Sequence, residues 1–450
     1  VLNPSLHTKA KGFRQRVAFH VKEIYGDEDV DEITDELMEA ANISEHASPP
    51  AHVKSKWDQS DVMMITYGDS IKKEGRPPLR ELNNFMVSQL KNTISGVHIL
   101  PFNPYSSDDG FSVIDYTAVN PELGSWDDIT ALGNEFSVMA DLVINHCSRE
   151  SLWFKNYEKN KAPGRGYFIN GLEFEDLSQV VRPRSTPLLT EIHAVDGVKQ
   201  VWCTFGEDQV DLNYRNPDVL LEIVRIIRHY VEQGIHFFRL DAIAFFWKES
   251  GTSCVHLPQT HELIKLLRLV IENLDPSAVI ITETNVPNRE NLSYFGNDNE
   301  AHLIYNFSLP PLLLYSILSG DCKHLKTWMT SMPPARSGRA YLNFIASHDG
   351  IGLRPAEGLL SPRELDGLIE NIRESGGEIS MRRTPQGDLT PYEANISLYS
   401  AMERPIGGEV DDFQMARFIC AHTIMLALEG LPAIYIHSLL GTENNREGMV

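Results

Sequence analysis

The 450-residue chain is poor in cysteine, in basic residues and in long hydrophobic runs, and each shortage excludes a class of protein. Its five cysteines are dispersed without a CxxC pair, which argues against a disulfide framework or a zinc site and favours reduced thiols in the cytoplasm. Forty basic against 62 acidic residues give a net charge of −22, which argues against nucleic acid or an anionic membrane as partner. The most apolar stretch, 419–436, is interrupted by His422, Glu429, Gly430 and Pro432, so no membrane span is expected.

Short apolar segments alternate with helical patterns eight times along the chain. The predicted strands are 62–67, 96–102, 138–145, 236–242, 279–285, 302–307, 341–347 and 433–438, with amphipathic helices such as 217–234 and 260–274 between them. This alternation is typical of the α/β class and predicts a (β/α)8 TIM barrel, a closed parallel barrel with its helices outside.

Two connections are too long to be simple loops, and a helical stretch precedes the barrel. Long irregular insertions in a compact domain are usually lids or binding loops. The predicted organisation is therefore a helical extension at 1–58, barrel strands 1–3 at 59–147, an inserted small domain at 148–212, barrel strands 4–7 at 213–350, an insertion at 351–411, and the last helix and strand at 412–450.

An arginine and an aspartate interrupt the apolar strand predicted at 236–242. Arg239 and Asp241 are two residues apart, a spacing that puts both side chains on one face of a strand. Two interpretations are open at this point. The pair is either a structural ion pair or a carboxylate held ionised and aimed at a substrate from the C-terminal end of a barrel strand.

Polar side chains and one aromatic side chain also lie at the ends of most other predicted strands, and these ends meet at one rim of a barrel. The set comprises Asp69, Asp108, Asp109, Phe111, Asp141, Asn145, His146, Glu283, Asn285, His348 and Asp349. Several carboxylates at one rim suit glycosidic bond chemistry. One attacks the anomeric carbon, a second with a raised pKa protonates the departing oxygen, and a third supports the charge on the sugar ring.

The remaining members of the set have roles that fit a sugar site. Arg239 is expected to keep Asp241 ionised at neutral pH. His146 and His348 are expected to donate hydrogen bonds to sugar hydroxyls, and Phe111 to stack on the sugar ring. Taken singly, each histidine fits a satisfied core residue equally well, but the set favours a sugar-binding cavity.

Four segments resemble the signature segments of the α-amylase superfamily, glycoside hydrolase family 13: DLVINH, GIHFFRLDA, ITETN and FIASHDG. The resemblance implies that Asp241 is the nucleophile, Glu283 the general acid/base and Asp349 the acid that supports the transition state. It also places Arg239, His146 and His348 at sugar-contacting positions. A superfamily metal site often uses the asparagine that matches Asn145, but no other metal-ligand cluster accompanies it, so a structural hydrogen-bonding role and no metal are expected.

Further segments are similar to the sucrose phosphorylase branch, among them ILPFNPYSSDDGFSVIDYTAV and FSLPPLLLYSI, and TPYEAN and ITETNVPN are most similar to its glucosylglycerate phosphorylases. The resemblance implies that Asp108 holds distal sugar hydroxyls. It also implies that Arg184 contacts an anion and that Tyr392 and Glu393 lie on the acceptor loop. Of the other arginines near these segments, Arg182 offers a second cation beside Arg184, whereas Arg382 and Arg383 are expected to be solvated surface charges.

The function implied is that of a retaining glycoside phosphorylase, converting 2-O-α-glucosyl-glycerate and phosphate to α-glucose 1-phosphate and glycerate. Its partners would be the glucoside and inorganic phosphate, with no cofactor, and the sequence leaves the oligomeric state open, a homodimer included. Phe245, Asn285 and Glu393 stand where sucrose phosphorylases have tyrosine, histidine and glutamine, which disfavours sucrose as donor.

Three alternatives stay open from the sequence. The donor could be sucrose 6-phosphate or sucrose, or the protein could be an α-glucoside hydrolase or transglucosidase. The branch also supplies a downstream arginine and a C-terminal β domain that this chain is expected to lack. If that expectation holds, the third alternative is an inactive sugar-binding barrel.

Overall fold

The computed structural model describes residues 12–44, 47, 56–184, 186–336, 338–383 and 389–445, and for Arg383 the backbone alone. Within them, the barrel strands are β1 Met63–Thr66, β2 Gly96–Ile99, β3 Ser137–Leu142, β8 Phe237–Leu240, β9 Val279–Thr282, β10 Leu303–Tyr305, β11 Ala340–Asn343 and β15 Leu431–Tyr435. These eight parallel strands close into a barrel in the order β1-β15-β11-β10-β9-β8-β3-β2, so the predicted TIM barrel is confirmed.

Each predicted barrel strand is present, but the apolar runs extend beyond the hydrogen-bonded part. The clearest case is the last strand, predicted at 433–438, which ends at Tyr435 because the chain turns into the short helix Ile436–Leu439. Because successive side chains point to opposite faces of each strand, the apolar core has a part inside the barrel and a part between the barrel and the helices. Met63 and Ile65 point into the barrel, whereas Met64 packs outward against the helices.

Helices cover the outside of the barrel, as the apolar 3.6-residue patterns predict. Their bounds are Pro78–Gln89, Trp126–Gly133, Pro217–Glu232, Pro258–Leu274, Asn288–Ser293, Leu309–Ser319, Lys323–Ser331 and Gln414–Leu426. In the described ranges, no helix combines the length and apolar character needed to cross a membrane.

Two further helices, Phe13–Tyr25 and Val30–Ala40, lie within the predicted N-terminal extension. Their apolar faces join the outer core of the barrel, and the first packs along Pro258–Leu274. His20 and Glu262 link the same pair of helices, with Nδ1 2.8 Å from Oε2. The extension therefore braces the two barrel helices that flank β8.

The two insertions are small antiparallel units. The first contains the pair β4 His146–Ser148 with β7 Gln209–Asp211, the hairpin β5 Leu189–Ala194 with β6 Gly197–Trp202, and the helix Leu152–Glu158. The second contains the three-stranded sheet β12 Ile351–Gly352, β14 Leu389–Asn395 and β13 Glu378–Arg383, followed by the helix Leu398–Ala401, and its own helix Pro362–Glu374. Both insertions start at the C-terminal ends of barrel strands.

The second insertion is held against the barrel through Gly350, whose φ of +83° favours glycine. A Cβ there would lie 2.4 Å from the carbonyl oxygen of Ala394 on β14. The alanine substitution Gly350→Ala should therefore lower the free energy of unfolding by about 2–4 kcal/mol, measured by urea denaturation.

The matched control is Gly358→Ala in the same insertion. Gly358 has a similar φ of +76°, but a Cβ would meet nothing within 4 Å. This variant should show only the cost of the left-handed conformation, about 1 kcal/mol. Equal losses in the two variants would contradict a close approach at Gly350.

Candidate active site

A cavity of about 210 Å³ opens at the C-terminal ends of the barrel strands, between the two insertions. Its lining brings together the candidate residues from distant parts of the sequence. They are Asp108, Phe111, His146, Arg184, Arg239, Asp241, Glu283, His348, Asp349, Tyr392 and Glu393. Asp69 of the wider set does not line it and instead pairs with Lys72 at 2.8 Å.

Asp241 and Glu283 lie side by side because of the strand register. Leu240 is level with Thr282 in the parallel β8–β9 ladder, so the next residue on each strand, Asp241 and Glu283, share a level at the rim. The ladder extends to both: the Asp241 amide donates to Leu142 at 3.2 Å, and the Glu283 amide donates to Leu240 at 3.0 Å. Strand pairing therefore fixes the relative position of the two carboxyl groups.

A chain of buried charges forms the floor of the cavity. The Nη1 atom of Arg239 donates to Asp241 Oδ1 at 2.8 Å and also to Asp141 Oδ1, and Asp141 Oδ2 is 2.7 Å from His98 Nε2. Asp141 is level with Arg239 in the β3–β8 ladder, which explains their pairing. Burial alone would raise the pKa of Asp141, but Arg239 and His98 outweigh it and lower that pKa to about 2.

Arg239 favours the ionised form of Asp241, as expected, but it does not decide the direction of the overall pKa shift. Burial, together with the charges of Glu283, Asp141 and Asp349, raises the pKa of Asp241 above its usual value, and Arg239, which also bonds to Asp141, opposes this rise. The ionisation of Asp241 at neutral pH stays a prediction. The pKa of Glu283 is also raised, first by burial and then by neighbouring acids. That is the direction a general acid needs.

The backbone amide of Ala242, the residue after Asp241, forms a hydrogen bond with Glu283. Ala242 has φ +49°, a left-handed conformation that is costly for a residue with a Cβ. In this conformation its amide donates to Glu283 Oε2 at 3.1 Å. Asp108 and Asp109 have similar positive φ values at the opposite side of the cavity. Backbone strain is thus stored beside the carboxyl groups.

His348 lines the cavity, with both of its ring nitrogens buried. Its side chain is 7% exposed, and neither ring nitrogen makes a well-aligned hydrogen bond to a described residue. Burial lowers the pKa of His348, which favours the neutral ring. Phe111 stacks on it with centroids 5.4 Å apart and so orients the His348 ring, and the expected stacking of Phe111 on a sugar stays a prediction. Asp349 lies beside it, with Oδ2 3.3 Å from Nε2.

His146 lines the cavity, but its nitrogens are already engaged. Nε2 lies 2.9 Å from the carbonyl oxygen of Phe111, which accepts only, so Nε2 carries the proton. Nδ1 is 3.2 Å from the amide nitrogen of Asn145. The single donor of His146 is therefore bonded to the Phe111 loop, and its expected contact with a sugar hydroxyl stays a prediction.

Asn145 belongs to a buried network around Lys248. Lys248 Nζ lies 2.6 Å from Asp211 Oδ2 and 3.0 Å from Asn145 Oδ1, and it also donates to the Phe245 carbonyl. The Asn145 amide donates to Asp211 at 3.1 Å. The polar atoms of Asn145 are used within the protein, in keeping with a structural role. No cluster of potential metal ligands occurs in the part of the chain that the structure describes.

The leaving-group side of the cavity is formed by the insertions. Arg184 comes from the first, and Tyr392 and Glu393 from β14 of the second. The amide of Asn285 donates to Tyr392 Oη at 3.4 Å and reaches Glu393 Oε1 at 3.5 Å. Burial and the charge of Asp349 raise the pKa of Glu393 to about 8, against the opposing charge of Arg184. Glu393 is thus neutral at pH 7 and can donate a hydrogen bond as a glutamine would.

The other predicted arginines lie elsewhere. Arg182 donates to the carbonyl of Thr186, and Arg382 pairs with Glu357 at 2.9 Å; neither lines the cavity. The side chain of Arg383 lies outside the described residues. The interpretation of the sequence missed Arg354, which lines the cavity and donates from Nη1 to the carbonyl of Asn285 at 3.1 Å. Its position five residues after Asp349 was the available signal.

Comparisons with known proteins agree with this geometry. Residues 90–351 match the family described as "Alpha amylase, catalytic domain". The chain belongs to the α-amylase family. Within that family, it is 49% identical over 393 residues to the glucosylglycerate phosphorylase of Spirochaeta thermophila, covering 87% of this chain and 66% of the relative. It is 43% identical over 436 residues to that of Allomeiothermus silvanus, covering 97% of this chain and 78% of the relative.

One of the matching solved structures covers most of this chain. The sucrose 6F-phosphate phosphorylase of Thermoanaerobacter thermosaccharolyticum superposes with a TM-score of 0.76 at 24% identity, covering 87% of this chain and 79% of that one. At that identity the likeness supports the fold alone. The chain spans about two thirds of the length of the S. thermophila relative.

The state of Glu393 predicts how anion binding depends on pH. Below about pH 8 the Glu393 carboxyl is neutral and adds no negative charge beside Arg184. Above that pH, the negative charge of Glu393 repels an anion. We expect the affinity for sulfate, whose charge is constant from pH 7 to 9.5, to fall about 10-fold over that interval when measured by calorimetry. Asp349 and Glu283 also face Glu393, and Tyr392 stays protonated because burial raises its pKa further still.

The variant Glu393→Gln should bind sulfate with the same affinity at pH 7 and pH 9.5. Glu357→Gln is the matched control, since Glu357 pairs with Arg382 outside the cavity, and it should keep the wild-type pH dependence. A wild-type affinity that does not change with pH would contradict the raised pKa of Glu393.

Proposed function

We propose that the protein is a retaining glucosylglycerate phosphorylase, which converts 2-O-α-glucosyl-glycerate and phosphate to α-glucose 1-phosphate and glycerate. The observation that carries the proposal is one cavity in which the carboxyl cluster of Asp241, Glu283 and Asp349 adjoins a leaving-group side that bears arginine. Curated glucosylglycerate phosphorylases 43–49% identical to the chain support the same donor.

In the first displacement, a carboxylate oxygen of Asp241 attacks the anomeric carbon of the glucosyl unit. The bond from that carbon to the glycerate oxygen breaks, and Glu283 transfers its proton to the departing oxygen. The raised pKa of Glu283 favours the protonated form that this step needs. Asp349 and His348, which line the cavity, would bind the hydroxyls of the glucosyl unit.

In the second displacement, a phosphate oxygen attacks the same carbon and the bond to Asp241 breaks. The phosphate monoanion or dianion gives one proton to Glu283, which restores the starting state. Two inversions retain the α configuration. A phosphorylase differs from a hydrolase in favouring phosphate over water, and arginine binds phosphate through paired hydrogen bonds. Arg184, which lines the cavity, would supply these hydrogen bonds.

The residues that differ from sucrose phosphorylases lie together on the leaving-group side. Phe245, Asn285 and Glu393 all line the cavity, and Asn285 bonds directly to the acceptor loop. A sucrose phosphorylase of Agrobacterium vitis is 30% identical to the chain, below the glucosylglycerate phosphorylases. The proposal includes no metal or cofactor, with inorganic phosphate as co-substrate. It places the enzyme in the cytoplasm, where its five free cysteines would stay reduced.

The deciding experiment is a donor screen with and without phosphate. Glucose 1-phosphate should form from glucosylglycerate only when phosphate is present, with kcat/KM at least about 10-fold above the values for sucrose 6-phosphate and sucrose. Release of free glucose at the same rate without phosphate would make the protein a hydrolase. Preference for either sucrose donor would overturn the glycerate assignment.

The nucleophile can be tested directly with Asp241→Asn. Loss of the attacking oxygen should lower kcat for phosphorolysis by at least about 10³-fold, with an unchanged thermal midpoint or a higher one. Asp69→Asn is the matched control, because Asp69 also follows a barrel strand but lies outside the cavity, and it should keep wild-type turnover. Near-normal rates in the Asp241 variant would assign the attack to another residue.

A further inference from the structure

Arg354 is a cavity residue that the family segments do not mark. It opens the short 3₁₀ helix Arg354–Ala356, directly after β12, and it is half-buried. The hydrogen bond from its Nη1 to the carbonyl of Asn285 ties it to the segment that carries Glu283, two residues earlier. Its side chain is therefore held against the segment that carries the proposed general acid.

Arg354 forms no direct ion pair. Among the described residues, no carboxylate lies within ion-pairing distance of it, and Glu357, three residues away, is paired with Arg382. Burial lowers the pKa of Arg354, with Arg382 contributing in the same direction, whereas Tyr392 and the more distant charges of Glu357 and Glu290 oppose the shift. A half-buried guanidinium without a direct ion-pair partner is costly, and in a substrate cavity such a group is usually compensated by an anionic ligand.

The leaving group supplies an anion at this position. In glucosylglycerate, the carboxylate is attached to the carbon atom that carries the departing oxygen, so a cation that binds it has to lie next to the general acid. We infer that Arg354 binds the carboxylate of the glycerate leaving group and determines the preference for an anionic acceptor. This inference rests on the proposed function, and it names the contact that selects the acceptor.

Arg354 and Arg184 differ in a way that divides the anions between them. Arg184 is exposed, and the structure shows no hydrogen bond from it to a described residue, so its guanidinium is free to meet incoming phosphate. Arg354 is held in place by Asn285 before the substrate binds. A fixed donor loses little freedom when a carboxylate docks, which favours recognition of one acceptor geometry.

The test compares two glucosyl donors in wild type and Arg354→Gln at saturating phosphate. One donor is glucosylglycerate, and the other is α-glucosyl fluoride, whose leaving group has no carboxylate. In a double displacement, kcat/KM for the donor reports only the first half-reaction. The variant should lose about 10- to 100-fold in kcat/KM for glucosylglycerate and less than about 3-fold for the fluoride. Arg354→Lys should recover part of the loss.

Arg382→Gln is the matched control, since Arg382 is paired with Glu357 outside the cavity, and it should change neither value. An equal loss for both donors in Arg354→Gln would indicate a structural role and overturn the inference. A loss confined to kcat/KM for phosphate would also overturn it, because it would make Arg354 a phosphate contact.

Binding of glycerate, measured by calorimetry, separates this inference from the proposed function. If wild type converts glucosylglycerate but Arg354→Gln binds glycerate equally well, the inference alone fails. If wild type does not convert glucosylglycerate yet binds glycerate, and the variant does not, the assigned reaction fails while the contact stands. If wild type neither converts the donor nor binds glycerate, both fail.

Discussion

The shared guanidinium of Arg239 is the interaction on which the rest of the site depends. It bonds to Asp141 and Asp241 from within the barrel, and neighbouring strands hold all three residues in register. One positive charge has to serve two carboxylates, so the rim retains an excess of negative charge. Burial, together with that excess, raises the pKa values of Asp241 and Glu283. In the proposed reaction, the protonated form of Glu283 that this favours would supply the proton for the departing oxygen.

The same excess of negative charge explains why the leaving-group side of the cavity carries positively charged side chains. An anionic substrate would be repelled by the carboxyl cluster unless charge of the opposite sign faced it. The insertions contribute Arg184 and Arg354, and Glu393 is neutral at pH 7. In the proposed reaction, the barrel would provide the groups that act on the sugar, and the insertions the groups that act on the acceptor attached to it. Such a division lets acceptor preference change while the chemistry at the anomeric carbon is kept.

Much of this could be predicted from the sequence, because strand periodicity places Asp241 and Glu283 at one rim whatever the loops do. The raised pKa of Asp241 could not, since it depends first on burial and then on the charges of Glu283, Asp141 and Asp349, which are distant in the chain. The engagement of His146 with the Phe111 loop likewise requires coordinates. Arg354 was not predicted as a cavity residue because it lies in an insertion, where no regular repeat indicates which side chains face inward.

The buried ammonium of Lys248 has a mechanical consequence. It joins Asn145 at the end of β3, Asp211 on β7 of the first insertion and the loop after β8. Swinging that insertion away as a rigid body would leave a desolvated positive charge without its counter-ion, at a cost of several kcal/mol. The base of the insertion therefore acts as a fixed anchor. Passage of substrate and product has to rely on smaller movements at the outer loops, including the one that carries Arg184.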